Sequence, residues 1–230
     1  MLNMKAVILA AGEGVRMRPL TNDKPKQLVE VAGKPILDHI LEALPPEITE
    51  LILVIGYRGG QIRAHYRSEY RGRPIAYVTQ AEKKGTMHAL RLCESYLKER
   101  ERFLVMYADD LHGAGGLAAC VASPALALSV LSVEDPRRFG VVETNAEGRI
   151  VDLVEKPEEP RSNLISSGVF VLDTSVFRYK AKRLLNGEEY LAETVAAMIR
   201  DGHIFYAVPS SLWIPIGYPE DITRAELLLT

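Results

Sequence analysis

Cysteine is scarce in the 230-residue chain. Cys93 and Cys120 are the only two, they form no CxxC pair, and no Cys/His cluster has zinc spacing. That argues against a disulfide-stapled scaffold and a zinc module, and leaves two reduced thiols in a cytoplasmic protein as the expectation. An excess of one charge is also lacking. Lys and Arg number 28 against 30 Asp and Glu, a net charge of -2, so whole-chain charge gives no reason to expect a nucleic-acid partner. No apolar run approaches the ~20 residues that span a bilayer. The N-terminus lacks the charged segment, long apolar core and small-residue cleavage site of a secretory signal. No membrane partner is expected, and the sequence has no internal repeat or low-complexity tract.

What remains is 47% hydrophobic and 25% charged, the balance of a globular domain, and the length suits one domain over 1–230. Short β-rich apolar runs alternate with helix-period segments. Strands are expected at 5–10, 51–56, 74–80 and 102–107, with helices at 35–44, 61–70 and 86–98 between them. Pro35 suits a first helical turn, and Ile36, Leu37, Ile40, Leu41 and Leu44 form one face. This β-α-β-α-β-α-β order predicts an α/β fold, a Rossmann-like three-layer sandwich around a mostly parallel mixed sheet. After Leu126 the pattern changes. LALSVLSV, FGVVET and RIVDLVEKP read as strands with a turn at 145–148, a β-hairpin excursion. A strand at 164–173, helical patterns at 175–185 and 190–201, a strand at 203–208 and a helix at 220–229 complete the reading.

The segment AAGEGVRMRPLTNDKPK, residues 10–26, directly follows the first strand. Met17 stands where both the P-loop and the dinucleotide fingerprint require their later glycine, so neither template fits. Gly-x-Gly followed by Arg16, Arg18 and Lys26 still has phosphate chemistry. Glycine lets backbone N–H groups approach an anion, arginine offers a fixed fork, and lysine a mobile point charge. In an open α/β sheet, ligands sit beyond the carboxyl ends of strands, where this loop lies.

LAAGEGVRMRPLTNDKPKQLVEVAGKPIL resembles the signature of the sugar-1-phosphate nucleotidylyltransferases. Further similar segments follow in family order: GY at 56–57, QAEKKGTMHAL at 80–90, YAD at 107–109, FGVV at 139–142, EKP at 155–157, NLISSG at 163–168 and W-x-x-I-G-x-P at 213–219. The resemblance covers essentially the whole chain, without the left-handed β-helix domain into which some relatives continue. It implies the nucleotide-diphospho-sugar transferase fold and an enzyme that transfers a nucleotidyl group. In that reaction a sugar-1-phosphate oxygen attacks the α-phosphate of a nucleoside triphosphate, and pyrophosphate leaves. Homodimers or homotetramers are common among such relatives.

Carried over residue by residue, the resemblance implies that Ala11 and Gly12 face base and ribose while Gly14 lets the chain bend over the triphosphate. Arg16 neutralises the phosphates and Lys26 stands near the α-phosphate. Gln80, Gly85 and Thr86 read the base, and Thr86 is also a natural N-cap for the helix that follows. The wording QAE-x-x-GT-x-HA leans toward UTP and N-acetylglucosamine-1-phosphate enzymes, and thymidylyltransferases share much of it. Tyr107 is a further implied nucleotide contact, and it leads into Asp109, the expected Mg²⁺ ligand at a strand's carboxyl end. Gly140, Glu155, Lys156, Ser166 and Ser167 line the sugar-phosphate side.

The chain departs from the family pattern at several positions. In NLISSG, Ser166 and Ser167 stand where many relatives carry threonine or alanine, which argues against N-acetyl recognition. Ala108 replaces the glycine before the metal aspartate, and Pro215 stands where the family carries its second metal-ligating aspartate. Either Asp109, phosphates and water hold the metal, or Asp221 shifts in, or activity is reduced, with Asp221 otherwise a cap of the last helix. The leading expectation is transfer of UMP or dTMP to glucose-1-phosphate or N-acetylglucosamine-1-phosphate. The alternatives are a catalytically weak nucleotide-sugar-binding regulatory subunit, or a GTP- or CTP-dependent relative acting on mannose-1-phosphate or on a polyol or choline phosphate.

Overall fold

In the computed structural model, residues 3–183 and 187–229 are described. The first half of the chain builds β1 (Met4–Ala10), β2 (Glu30–Val31), β3 (Lys34–Pro35), α1 (Ile36–Ala43), β4 (Ile48–Ile55), α2 (Gly59–Tyr66), β5 (Glu69–Tyr70), β6 (Arg73–Thr79), α3 (Thr86–Arg91) and β7 (Arg102–Tyr107). The second half adds β8 (Asp110–His112), α4 (Ala114–Ala122), β9 (Leu126–Ser132), β10 (Gly140–Thr144), β11 (Ile150–Glu155), β12 (Leu164–Asp173), α5 (Leu191–Arg200), β13 (Phe205–Pro209), β14 (Trp213–Pro215) and α6 (Glu220–Leu229).

Alternation along the central strands explains the three layers. In β1, Ala6, Ile8 and Ala10 pack with Leu51, Leu53, Ile55 and the α1 face Ile36, Leu37, Ile40 and Leu41. Val7 and Leu9 face the other way, into Ile52, Val54, Met87, Leu90, Val195 and Met198. A strand apolar on both sides is stable only between two helical layers. Strands β7, β1, β4 and β6 lie side by side in that order, all parallel. From β1 the chain moves outward through β4 and β6, then crosses back to β7 on the other flank. The loop after β1 therefore sits at the point where the strand order reverses, the usual crevice of an open α/β sheet.

The sheet is more mixed than the sequence pattern suggests. Strand β12 runs antiparallel to β7, β9 and β10, and β10 and β11 form the expected hairpin. Its turn is closed by Asn145, whose side-chain oxygen accepts the Glu147 and Arg149 N–H groups at 3.0 Å each. Three helical expectations need correction. The 61–70 helix ends at Tyr66, and Glu69–Tyr70 turns into a hairpin with β6. The 86–98 helix stops at Arg91, followed by a 3₁₀ turn over Glu94–Tyr96. The helical pattern at 175–185 resolves into a 3₁₀ turn over Thr174–Arg178, with 184 and 185 outside the described residues. No helix among the described residues is long and apolar enough to cross a membrane.

Candidate active site

The parallel strands bring four loops to one edge: 11–18 after β1, 56–58 after β4, 80–85 after β6 and 108–109 after β7. Gly14 adopts a left-handed φ of 63°, and its Cα lies against Lys26, whose Cβ is 3.0 Å from where a side chain at 14 would begin. Thr21 is buried and donates its hydroxyl to the Gly14 carbonyl at 2.8 Å. Tyr57 and Arg58 hold the far side of the same loop by donating to the Asn22 carbonyl at 3.0 and 2.8 Å. Gly12 is exposed, and a Cβ there would meet nothing within 4 Å, while the Ala11 carbonyl accepts the Tyr57 N–H at 3.4 Å.

Lys26 opens a 3₁₀ turn over Lys26–Leu28 and is only 7% exposed. Its ammonium donates to the Asp109 carbonyl at 3.1 Å and lies 3.8 Å from the Asp109 carboxylate. The Asp109 side chain is 52% exposed, open to a ligand from the solvent side. Asp110 differs. Its carboxylate accepts the Trp213 indole N–H at 2.8 Å, and burial, then the Asp109 charge, pushes its pKa up to about 8. Pro215 is paired with Asp110 across the β8–β14 ribbon, and the Ile216 N–H bonds the Asp109 carbonyl at 3.2 Å. Asp221 does not reach this group. Its carboxylate accepts the Gly217 and Tyr218 N–H groups at 2.8 Å each, closing the turn ahead of α6. Among the described residues, no group of three or more His, Cys, Asp or Glu side chains is placed to hold a metal.

The 80–86 loop is fastened to the chain at 189–191. Gln80 donates its amide to the Gly85 carbonyl at 3.0 Å, and the same nitrogen lies 3.1 Å from His88 Nδ1. Gly85 has φ 92°, and a Cβ there would lie 2.4 Å from the Glu189 carbonyl oxygen. Thr86 is not the N-cap, a place Gly85 takes; its hydroxyl instead accepts the Leu191 N–H at 2.9 Å. The Tyr107 hydroxyl is raised in pKa mainly by burial, against a hydrogen bond from Thr86.

The flank formed by β10, β11 and β12 carries the residues that the sequence resemblance assigns to the sugar side. Gly140 pairs with Glu155, and a Cβ on Gly140 would approach the Glu155 carboxylate to 3.2 Å. Burial raises the Glu155 pKa, opposed by Lys156, whose ammonium is 3.4 Å away and also 5.4 Å from the Tyr190 ring centre. Ser166 sits near Gly140, its Cβ 3.9 Å from the position a Gly140 side chain would take. Ser167 is turned inward, 2% exposed, with its hydroxyl on the Ser129 carbonyl at 3.3 Å; that side chain is spent on the sheet.

Arg16 lies apart from Lys26 in its contacts. Its guanidinium carbon is 5.5 Å from the centre of the Tyr218 ring. Glu13, unremarked in the sequence, accepts from Arg18 at 2.6 Å and from Lys83, strapping the β1 loop to the 80–85 loop. A glutamate between two glycines carries no pattern that announces a partner 70 residues on. Buried and unpartnered among the described residues, both ring nitrogens of His112 lie on the strand that follows Asp109.

A family profile described as nucleotidyl transferase matches residues 5–230. The chain is 40% identical over 234 residues to UTP--glucose-1-phosphate uridylyltransferase AglF of Haloferax volcanii, covering 97% of this chain and 95% of that protein. It is 35% identical to a glucose-1-phosphate thymidylyltransferase of Streptomyces antibioticus, covering 86% of this chain and 58% of that one. Bifunctional protein GlmU of Methanocaldococcus jannaschii is 32% identical, and the match covers 98% of this chain but 54% of that longer protein. Among solved structures, a UDP-glucose pyrophosphorylase complexed with UDP-glucose superposes with a TM-score of 0.83 over 99% of this chain and 98% of its own, at 22% identity, a likeness of fold.

Proposed function

Because the chain belongs to the nucleotidyl transferase family, we propose that the edge between the β1, β6 and β7 loops is where it joins a nucleoside triphosphate to a sugar-1-phosphate. The chain is a sugar-1-phosphate nucleotidylyltransferase. Our choice of substrates is UTP, with dTTP next, and glucose-1-phosphate, supported by the 40% identity to the uridylyltransferase across nearly the full length of both proteins. N-acetylglucosamine-1-phosphate ranks second, since Ser166 leaves a short side chain on the sugar flank. Two free, buried thiols fit a cytoplasmic setting.

The observation that carries the reading is the Lys26–Asp109 pair at the carboxyl edge, a buried cation facing a half-exposed carboxylate. The sugar phosphate oxygen forms a bond to the α-phosphorus as the bond from that phosphorus to the bridging oxygen breaks, and the pair of electrons leaves with pyrophosphate. Chemistry of this kind asks a protein for alignment and for fixed positive charge. Lys26, anchored on the Asp109 carbonyl, supplies charge that needs no reorganisation as the reaction proceeds. Arg16 neutralises the departing pyrophosphate. Glu155 and Lys156 orient the sugar and its phosphate, and Gln80, which holds the Gly85 loop in shape, positions the backbone that reads the base. The donor set fits Mg²⁺: Asp109 offers one accessible hard oxygen ligand, while Asp110 is committed to Trp213 and Pro215 offers none. Asp109 would hold Mg²⁺ there, and the bound ion would supply charge neutralisation on the phosphates.

Pyrophosphate release measured for five nucleoside triphosphates against glucose-, N-acetylglucosamine-, galactose- and mannose-1-phosphate tests the assignment. UTP with glucose-1-phosphate is expected to be fastest. A best rate with GTP or CTP overturns the base assignment. Silence across all pairs, with nucleotide binding by calorimetry, supports the regulatory reading that Pro215 and Ala108 motivate.

A further inference from the structure

The last turn before α6 grips both ends of the proposed phosphate site. Strand β14 pairs with β8, and the Ile216 N–H holds the Asp109 carbonyl at 3.2 Å. Two residues on, Tyr218 places its ring 5.5 Å from the Arg16 guanidinium carbon, inside the range of a cation–π contact. Tyr218 is itself fixed. Its N–H and that of Gly217 bond the Asp221 carboxylate at 2.8 Å, and its carbonyl accepts the Asp221 N–H at 3.1 Å. The Arg16 guanidinium, and to a lesser degree that of Arg138, draws the pKa of the Tyr218 hydroxyl down.

Arg16 needs such a hold. It is exposed, on a three-residue 3₁₀ turn whose buried anchor is Met17. A free arginine there samples many rotamers, and ordering it at the moment of reaction carries a cost in side-chain entropy. We propose that Tyr218 is a positioning residue for Arg16: it holds the guanidinium at a fixed place relative to Asp109, so that the cation is already aligned when pyrophosphate leaves. The proposal rests on the reading of Arg16 as the cation of the leaving pyrophosphate. Sequence alone does not announce it, since the two residues lie near opposite ends of the chain and the pairing exists only through the β8–β14 ribbon.

The test is a double-mutant cycle on pyrophosphate release, with kcat and the nucleotide KM measured for Arg16→Ala, Tyr218→Ala, Tyr218→Phe and the Arg16→Ala/Tyr218→Ala double variant. Tyr218→Ala is expected to lower kcat about three- to tenfold, the scale of losing an aligning cation–π contact, with a smaller change in KM. Tyr218→Phe, which keeps the ring but loses the hydroxyl's interaction with Arg16, should restore part of that loss. In the Arg16→Ala background, Tyr218→Ala should cost nothing further. A wild-type kcat in Tyr218→Ala, or losses that multiply in the double variant, overturns the positioning role. Arg16→Ala at the wild-type rate removes Arg16 from the phosphate site and takes the proposal with it, whereas a crippled Arg16→Ala beside a normal Tyr218→Ala overturns the positioning role alone. If Tyr218→Ala fails to fold, the same cycle with Tyr218→Leu, which keeps bulk without the ring's charge distribution, decides the matter on the same criteria.

Discussion

Lys26 and Asp109 divide the work that two charges can do at one strand end. The lysine is buried and fixed by a carbonyl; the carboxylate is open. Removing either leaves the other without its complement, and Lys26→Ala and Asp109→Ala are each expected to cut turnover by at least ~100-fold, as for loss of one preorganised electrostatic group. Steady-state kinetics on the two variants checks this, and a near-normal rate in one removes that residue from the chemistry. His112 gives a prediction about stability instead. Burial lowers its pKa from 6.5 to about 4, with Asp109 opposing the shift. Between those values the unfolded chain binds more protons than the folded one, so this contribution is full above pH 6.5 and is lost as pH falls toward 4. His112→Phe should flatten the decline in stability between about pH 6.5 and pH 4.5 seen in urea unfolding. A decline of unchanged steepness would assign the acid loss to other groups. The residue types of the loop after β1 were legible because their chemistry is stated by their side chains. Glu13, Lys83 and Tyr218 were not, because each acts through a partner that only the fold brings near.

At the scale of elements, the strands were the most legible part. Runs such as KAVILA and LISSGVFVLD are apolar on both faces, and 164–173 is matched by β12 to the residue. Helix ends were less so. A periodic pattern continues past Tyr66 and Arg91, but the chain is taken up there by a hairpin and a 3₁₀ turn, since packing rather than period decides where a helix stops. The three-residue strands β8 and β14 are too short to show alternation, yet they join the Asp109 end to the final turn. The 80–86 loop shows how an element can depend on one residue. At Gly85 an alanine would need a left-handed φ and would strike the Glu189 backbone. Gly85→Ala is therefore expected to cost about 2 kcal/mol or more in unfolding free energy and to raise the nucleotide KM. Urea denaturation with parallel kinetics reads both, and a variant unchanged in both would mean the loop does not hold the base.

For the whole molecule, the order β7-β1-β4-β6 gathers four loops from the first half of the sequence onto one edge, and the β8–β14 pairing brings the turn ahead of α6 to it. The sequence pattern anticipated a mostly parallel sheet. The antiparallel flank of β12, β10 and β11 carries Gly140, Glu155, Lys156 and Ser166, the second wall of the proposed site. That flank was visible as strands but not as a wall, because pairing across long separations is not encoded in local period. The central claim is that this edge carries out nucleotidyl transfer with Lys26 at the reacting phosphate. One measurement addresses it most directly: pyrophosphate release from UTP and glucose-1-phosphate, with Mg²⁺ or with EDTA, for the wild-type chain beside Lys26→Ala. The expected result is release that requires both substrates and Mg²⁺, matches UDP-glucose mole for mole, and falls at least ~100-fold in the variant. Release that persists in Lys26→Ala at the wild-type rate would contradict the claim and place the chemistry elsewhere on the molecule.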